Sequence, residues 1–242
     1  MILLFTDYGH SGPYVAQVTA VLRRAAPDVD VIALISDAPT YHPRAAAYLL
    51  AAYAPEFPRG SVFLCVVDPG VGTARGAGVL RADGRWYVGP DNGLFEVIIR
   101  RAGRTQWWPL PAPEEPIPAT FHGRDWFAGV AGRLARGAAP PGGQAIAAPP
   151  RRPDWPDDLS EVIYIDGFGN AMSGLRARGI DRRTKVIVQQ HRLGWARTFA
   201  DVPLGAPFWY ENANGLLEIA VNQGSAAQLL ALAAGSPIEL AV

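Results

Sequence analysis

The chain has 242 residues, of which 49% are hydrophobic and 18% charged, with Lys+Arg and Asp+Glu equal at 22 each. That length holds one large domain or two modest ones without disulfide staples, and the composition excludes disordered and fibrous classes. The balanced charge supplies no field to draw nucleic acid or an anionic membrane, which leaves a small molecule as the default ligand.

The single cysteine, Cys65, lies inside an apolar run, so no intramolecular disulfide can form and a reducing compartment fits. The N-terminus runs into Asp7 without a basic region, and no apolar stretch is long enough to span a bilayer, so a cytoplasmic protein is expected. Four histidines and one cysteine, with no close pairing and no HExxH, make no zinc site, and no metal is expected.

In chain order, Ile2 to Phe5 reads as a short strand ending in Thr6-Asp7-Tyr8-Gly9. A helix follows from Tyr14 to Ala25, with Val15, Val18, Val21 and Leu22 on one face and Pro13 at its start. Val29 to Ile35 is a second strand, the loop Ser36 to Pro43 follows, and an Ala-rich helix reaches about Ala54. Phe63 to Val67 is an unbroken apolar run that empties into Asp68-Pro69-Gly70-Val71-Gly72-Thr73, as for a strand buried on both faces. This alternation predicts a parallel sheet with right-handed crossovers, whose carboxyl ends are where ligands bind.

Trp86-Tyr87-Val88 leads into Gly89-Pro90-Asp91-Asn92-Gly93 and a helix to Arg101, followed by a Pro-rich passage, Trp107 to Pro118, read as an extended surface segment. Thr120-Phe121-His122-Gly123-Arg124-Asp125 opens a helix to about Arg136. The Gly, Pro and Ala crowding that follows marks a boundary, giving an N-terminal α/β domain over 1–140, a linker over 141–158 and a C-terminal domain over 159–242. In the last segment Val162–Ile165, Lys185–Val188, Pro207–Tyr210, Leu216–Val221 and Ile238–Val242 are short runs between turn signals, which predicts an antiparallel sheet or small barrel interrupted by one helix, Ser225 to Ala234.

The polar residues at strand and helix ends of the first domain are Asp7, Asp68, Arg75, Asn92 and His122. Taken singly, Asp7 reads better as a turn acid, Arg75 as a solvated charge and His122 as a residue satisfied beside a helix, and only Asp68 stands out. The second domain adds Asp166-Gly167-Phe168-Gly169-Asn170, Thr198-Phe199-Ala200-Asp201 and Glu211-Asn212-Ala213-Asn214-Gly215, the last also a strong hairpin turn. The glycines after Asp68 are spaced GxGxxxG with no early acidic ribose ligand, and no GxxxxGK[ST] occurs, so a Rossmann or P-loop nucleotide enzyme is set aside.

Together these motifs, with Leu217-Glu218-Ile219-Ala220, resemble the S-adenosylmethionine (SAM) hydroxide adenosyltransferases, SAM hydrolases related to the fluorinases and chlorinases. The motifs run in unbroken order from the first strand to the last fifth of the chain. The resemblance implies a mostly parallel N-terminal α/β sheet, a C-terminal antiparallel β-barrel, and a homotrimer with sites between subunits. It implies SAM as substrate, adenosine and L-methionine as products, and no cofactor. By the same resemblance Asp68, Arg75 and His122 match the triad that activates water; on chemical grounds His122 is then expected to relay the proton. Asp7 matches the holder of the ribose diol, Tyr41 an aromatic beside the ribose, Phe168, Asn170 and Phe199 the adenine contacts, and Asp166 the binder of the methionine ammonium. Asn92 joins the substrate-binding set from the Gly89 to Leu94 motif. Relatives commonly carry Ser in the turn gripping methionine where this chain has Ala213, so the resemblance implies either weaker recognition of the amino-acid end or a contact rerouted through Asn214.

A sulfonium leaves as a neutral thioether, so displacement at the ribose C5′ needs an aligned, partly deprotonated nucleophile and no general acid. A carboxylate beside the nucleophile repels halide, which favours water over the halogenase reading. A non-catalytic adenosine or SAM binder on the same scaffold is the third reading.

Overall fold

The computed structural model describes residues 1–146 and 148–241, and the chain divides into two compact units, Met1–Leu50 with Ala54–Pro153, and Ala51–Tyr53 with Asp154–Val242.

The first unit is built on six strands: β1 (Ile2–Thr6), β2 (Val31–Ile35), β3 (Val62–Val66), β4 (Ala77–Ala82), β5 (Arg85–Pro90) and β6 (Thr105–Pro109), in the order β2-β1-β3-β5-β4-β6. The first four in that order run parallel, as the strand–helix alternation predicts. The other half departs from a parallel sheet, since β4 pairs antiparallel with both β5 and β6. The cause is local: Asp83 and Gly84 have φ of 46° and 86°, the left-handed pair of a two-residue hairpin turn, and such a turn can join only antiparallel strands.

The expected surface passage at Trp107 is also corrected. Trp107 and Trp108 belong to β6 and, with Leu110, are buried, because two tryptophans at a strand edge bury more apolar area than the flanking prolines can hold in solvent.

Helices α1 (Tyr14–Ala25), α2 (Pro43–Tyr53), α3 (Glu96–Arg101) and α4 (Ala128–Ala135) complete the unit, α4 preceded by a wider turn over Gly123–Phe127. Val18 and Leu22 of α1 and Phe127, Val130, Ala131 and Leu134 around α4 close a core over Ile2, Leu4, Val62 and Leu64 of the central strands. With 5 residues each and every side chain buried, β1 and β3 are the interior strands their apolar runs predict.

The second unit contains β7 (Leu159–Ile165), β8 (Ala171–Arg176), β9 (Lys185–Val188), β10 (His191–Leu193), β11 (Pro207–Glu211), β12 (Leu216–Val221) and β13 (Glu239–Ala241), with α5 (Ala226–Leu229). Its strand ladders are antiparallel and form two sheets, β11-β12-β8-β7 and β10-β9-β13, which close no ring among the described residues. Single bridges join Trp195 to Trp209 and Glu161 to Pro237 at the sheets' edges. The helix expected over Ser225 to Ala234 is a single turn, because Ala231 takes φ 50° and diverts the chain. Among the described residues no helix is long and apolar enough to cross a membrane.

Candidate active site

Asp7 and Asp68 stand side by side because the strands that end in them do. Thr6 of β1 lies opposite Val66 of β3, and the Asp7 N–H donates to the Val66 carbonyl at 3.1 Å. Burial, reinforced by the neighbouring negative Asp68, raises the Asp7 carboxyl above its usual range, against backbone N–H groups that lower it. One of those donors is the Tyr41 N–H, at 3.4 Å from Asp7 Oδ2. Tyr41 itself takes φ 62° and is 72% exposed, so it sits beside Asp7 through its backbone while its side chain faces out.

The loop after β3 is wound back so that its end meets its start. Thr73 Oγ1 donates to the Gly70 carbonyl at 2.7 Å and accepts the Arg75 N–H at 3.3 Å. That aims Arg75 at Asp68: Nε donates to both carboxylate oxygens at 3.0 and 3.1 Å, and Nη2 makes a further short bond to Oδ2. The Asp68 side chain is only 3% exposed, so this paired geometry replaces the water it has lost.

Arg75 Nη2 also lies 3.0 Å from His122 Nδ1, and the guanidinium packs over the Phe127 ring at 5.4 Å. A guanidinium can only donate, so His122 Nδ1 is the acceptor and the ring proton of the neutral imidazole is on Nε2. Burial and the Arg75 charge lower the His122 pKa, outweighing Asp68 and Asp125, so the neutral form prevails at neutral pH.

Asn92 serves this end of the sheet as a brace. Its Nδ2 donates to the Val67 carbonyl at 2.8 Å and its Oδ1 accepts the Leu94 N–H at 3.2 Å. Tyr8, which the sequence did not single out, packs its hydroxyl against Gly123, where an added Cβ would fall 1.9 Å from that oxygen. That hydroxyl is buried with no hydrogen-bond partner among the described residues.

In the second unit Asp166 ties its own loop. Oδ1 accepts the N–H groups of Phe168 and Asn170, both at 2.9 Å, and Oδ2 accepts Asn170 Nδ2 at 3.0 Å. This turn leaves Phe168 83% exposed. Asp166, Phe168, Asn170 and Phe199 line one cavity of about 610 Å³, and Tyr210, Glu218 and Gln223 line it with them. The last three are additions to the expected set. Glu218 left a faint signal, a charged residue inside an otherwise apolar strand. Phe199 is set edge-on to Phe208 and Tyr210, with centroids 5.2 and 5.6 Å away. Asn214 is not in the cavity wall: it sits in the β11–β12 turn, its N–H donating to Asn212 Oδ1 at 3.0 Å.

The first unit thus gathers Asp7, Asp68, Arg75, Asn92 and His122 at one sheet end, and the second gathers an aromatic cavity with convergent polar groups. No cluster of three or more His, Cys, Asp or Glu side chains able to hold a metal occurs among the described residues. Residues 2–142 match the model of the SAM hydroxide adenosyltransferase N-terminal domain, and residues 160–239 that of its C-terminal domain. A Thermus thermophilus protein named (R)-S-adenosyl-L-methionine hydrolase is 42% identical, the alignment covering 99% of this chain and 98% of that one. One of the same name from Salinispora arenicola is 38% identical, covering 97% and 95%. An uncharacterized conserved protein from Thermotoga maritima has a solved structure that superposes with a TM-score of 0.89 at 30% identity, covering 100% of both chains. With both halves matched in order, the chain belongs to the SAM hydroxide adenosyltransferase family.

Proposed function

We propose that the protein hydrolyses S-adenosyl-L-methionine to adenosine and L-methionine by in-line attack of water on the ribose C5′. The observation that carries this is the linked set Asp68–Arg75–His122 at the carboxyl end of β3. The sulfonium departs as a neutral thioether, so the protein must only align water and take its proton. Asp68 is the acceptor in this scheme. Arg75 stabilises the hydroxide-like charge that develops beside it. The His122 Nδ1 lone pair is engaged by Arg75, so His122 acts by holding the guanidinium, a role that replaces the proton relay.

Asp7 would hold the ribose diol, and the Phe168 and Phe199 faces with Asn170 would take the adenine. Asp166 would face the methionine ammonium through the one Oδ2 lone pair its loop leaves unused. The family resemblance supports a cyclic trimer whose sites combine the N-terminal sheet end of one copy with the C-terminal cavity of its neighbour. We also read the two C-terminal sheets as one barrel closed by the Trp195–Trp209 and Glu161–Pro237 bridges.

Chromatography of the purified protein with SAM, with and without fluoride or chloride, tests the reading. Adenosine and methionine should form in equal amounts and independently of halide. A 5′-halo-adenosine product, or intact SAM, would overturn it.

A further inference from the structure

Glu218 stands where an apolar residue would be expected. It occupies the middle of β12, paired across to Tyr210 on β11 and to Met172 on β8, and it is 2% exposed. Leu217 and Ile219, on either side of it, point into the core of the unit, while Ala220 falls in the separate apolar group formed with Phe199, Phe208 and Tyr210. The alternation of a strand therefore sends the Glu218 carboxylate toward the aromatic cavity, whose wall it helps form.

Both oxygens of this carboxylate are held. Tyr210 donates its hydroxyl proton to Oε1, and Asn212 Nδ2 donates to Oε2 at 2.8 Å. Asn212 is in turn fixed, its Oδ1 accepting the N–H groups of Asn214 and Leu216, both at 3.0 Å. The donors are neutral, so a buried acid is locked in place with no cation among the described residues bonded to it, and each oxygen keeps one lone pair. Such an arrangement is matched by a ligand that donates hydrogen bonds to the remaining lone pairs.

We propose that Glu218 is the residue that selects a 6-amino purine, accepting an exocyclic N–H of the base while Phe168 and Phe199 supply its apolar faces. A 6-oxo purine would set its O6 against the carboxylate, acceptor against acceptor, and would be refused. This assignment rests on reading the cavity as the base subsite of the proposed reaction. It goes beyond it by naming what the cavity discriminates and through which atom group.

Calorimetric titration of the wild-type protein with adenosine, purine riboside and inosine tests it without requiring turnover. Adenosine should bind about tenfold more tightly than purine riboside, which lacks the amino group, and about 100-fold more tightly than inosine. In Glu218→Gln, whose amide can present either a donor or an acceptor, the adenosine-to-inosine ratio should fall to within about threefold. The turnover number on SAM should hold and the loss appear in KM. Wild-type affinities for adenosine and inosine within threefold of each other, or binding of neither, would overturn the assignment even if the Gln variant failed to fold. So would a Glu218→Gln protein that keeps the wild-type ratio. A protein that prefers adenosine but leaves SAM intact would instead sink the proposed reaction and leave Glu218 as the selector.

Discussion

In the N-terminal unit the two most deeply buried carboxylates face guanidinium groups: Asp68 meets Arg75, and Glu96 meets Arg100 and Arg151. In the C-terminal cavity Asp166 and Glu218 are held by backbone N–H groups, amides and one phenol. The pairing at Asp68 neutralises charge and fixes geometry, which suits a centre that must orient one small nucleophile. The cavity keeps its negative charge uncompensated, which suits a ligand that arrives with a positive sulfonium and ammonium. Asp7 belongs with the second kind, since its hydrogen bonds come from backbone N–H groups.

Asp68→Asn is the most severe way to break this contrast. It leaves Arg75 with a neutral partner and removes the proposed proton acceptor, so kcat should fall by about 10²–10⁴ with KM nearly unchanged. Steady-state assay over a range of SAM concentrations measures both. A large rise in KM with kcat intact would move Asp68 from chemistry to binding.

Asp7→Asn and Asp166→Asn should do the reverse. Asparagine has one acceptor oxygen where Asp166 uses two, so the loop that presents Phe168 and Asn170 loosens, and the charge facing the cationic substrate is lost. For each variant KM should rise about tenfold, equivalent to about 1.4 kcal/mol, with kcat changed by less than threefold. If either variant lost turnover as deeply as Asp68→Asn, the division between a neutralised centre and an anionic cavity would fail.

The sequence made the parallel half of the sheet legible because β1 and β3 are uniform apolar runs with a carboxylate at each end. It also carried the hairpin that breaks the parallel order, in Asp83-Gly84 between apolar stretches, but a turn signal two residues long was outweighed by the βαβ rhythm around it. Proline density concealed that Trp107 and Trp108 complete the sheet, since burial of a strand edge depends on what packs there. In the site, the strand-end residues were readable from position. What Arg75 and His122 do to each other was not, because the two side chains, 47 positions apart in sequence, meet only in the fold. Glu218 stayed hidden because a single charge in an apolar run reveals neither its face nor its donors.

The rigidity of the N-terminal centre can be probed one residue from His122. In Gly123→Ala the new Cβ would meet the Tyr8 hydroxyl at 1.9 Å and Val66 Cγ2 at 3.2 Å, so something must move. The variant should lose about 1–3 kcal/mol in denaturant unfolding. Adding Tyr8→Phe should restore more than half of that, since it removes the nearest atom and an unpartnered hydroxyl. No recovery in the double variant would mean that the backbone of the turn, and not the Tyr8 contact, demands glycine.

The smallest effect separates the two units by the sign of their pH dependence. His122 has a folded-state pKa below its ordinary value of about 6.5, so between those values the unfolded chain binds more protons and stability rises with pH. Glu218 is raised above the usual carboxylate range, chiefly by burial and also by the negative Asp166, against its bonds from Tyr210 and Asn212. Between its ordinary and folded values the folded chain binds more protons, so stability falls as pH rises. His122→Gln should therefore gain on wild type at the acid end, where wild type must protonate an imidazole whose lone pair Arg75 occupies. Glu218→Gln should gain at the neutral end, where wild type must bury an ionised carboxylate. Melting temperatures of the three proteins from pH 4 to pH 8 would show the two gains growing in opposite directions. If both grew toward the same end, the two buried groups would share one electrostatic setting and the contrast between the units would collapse.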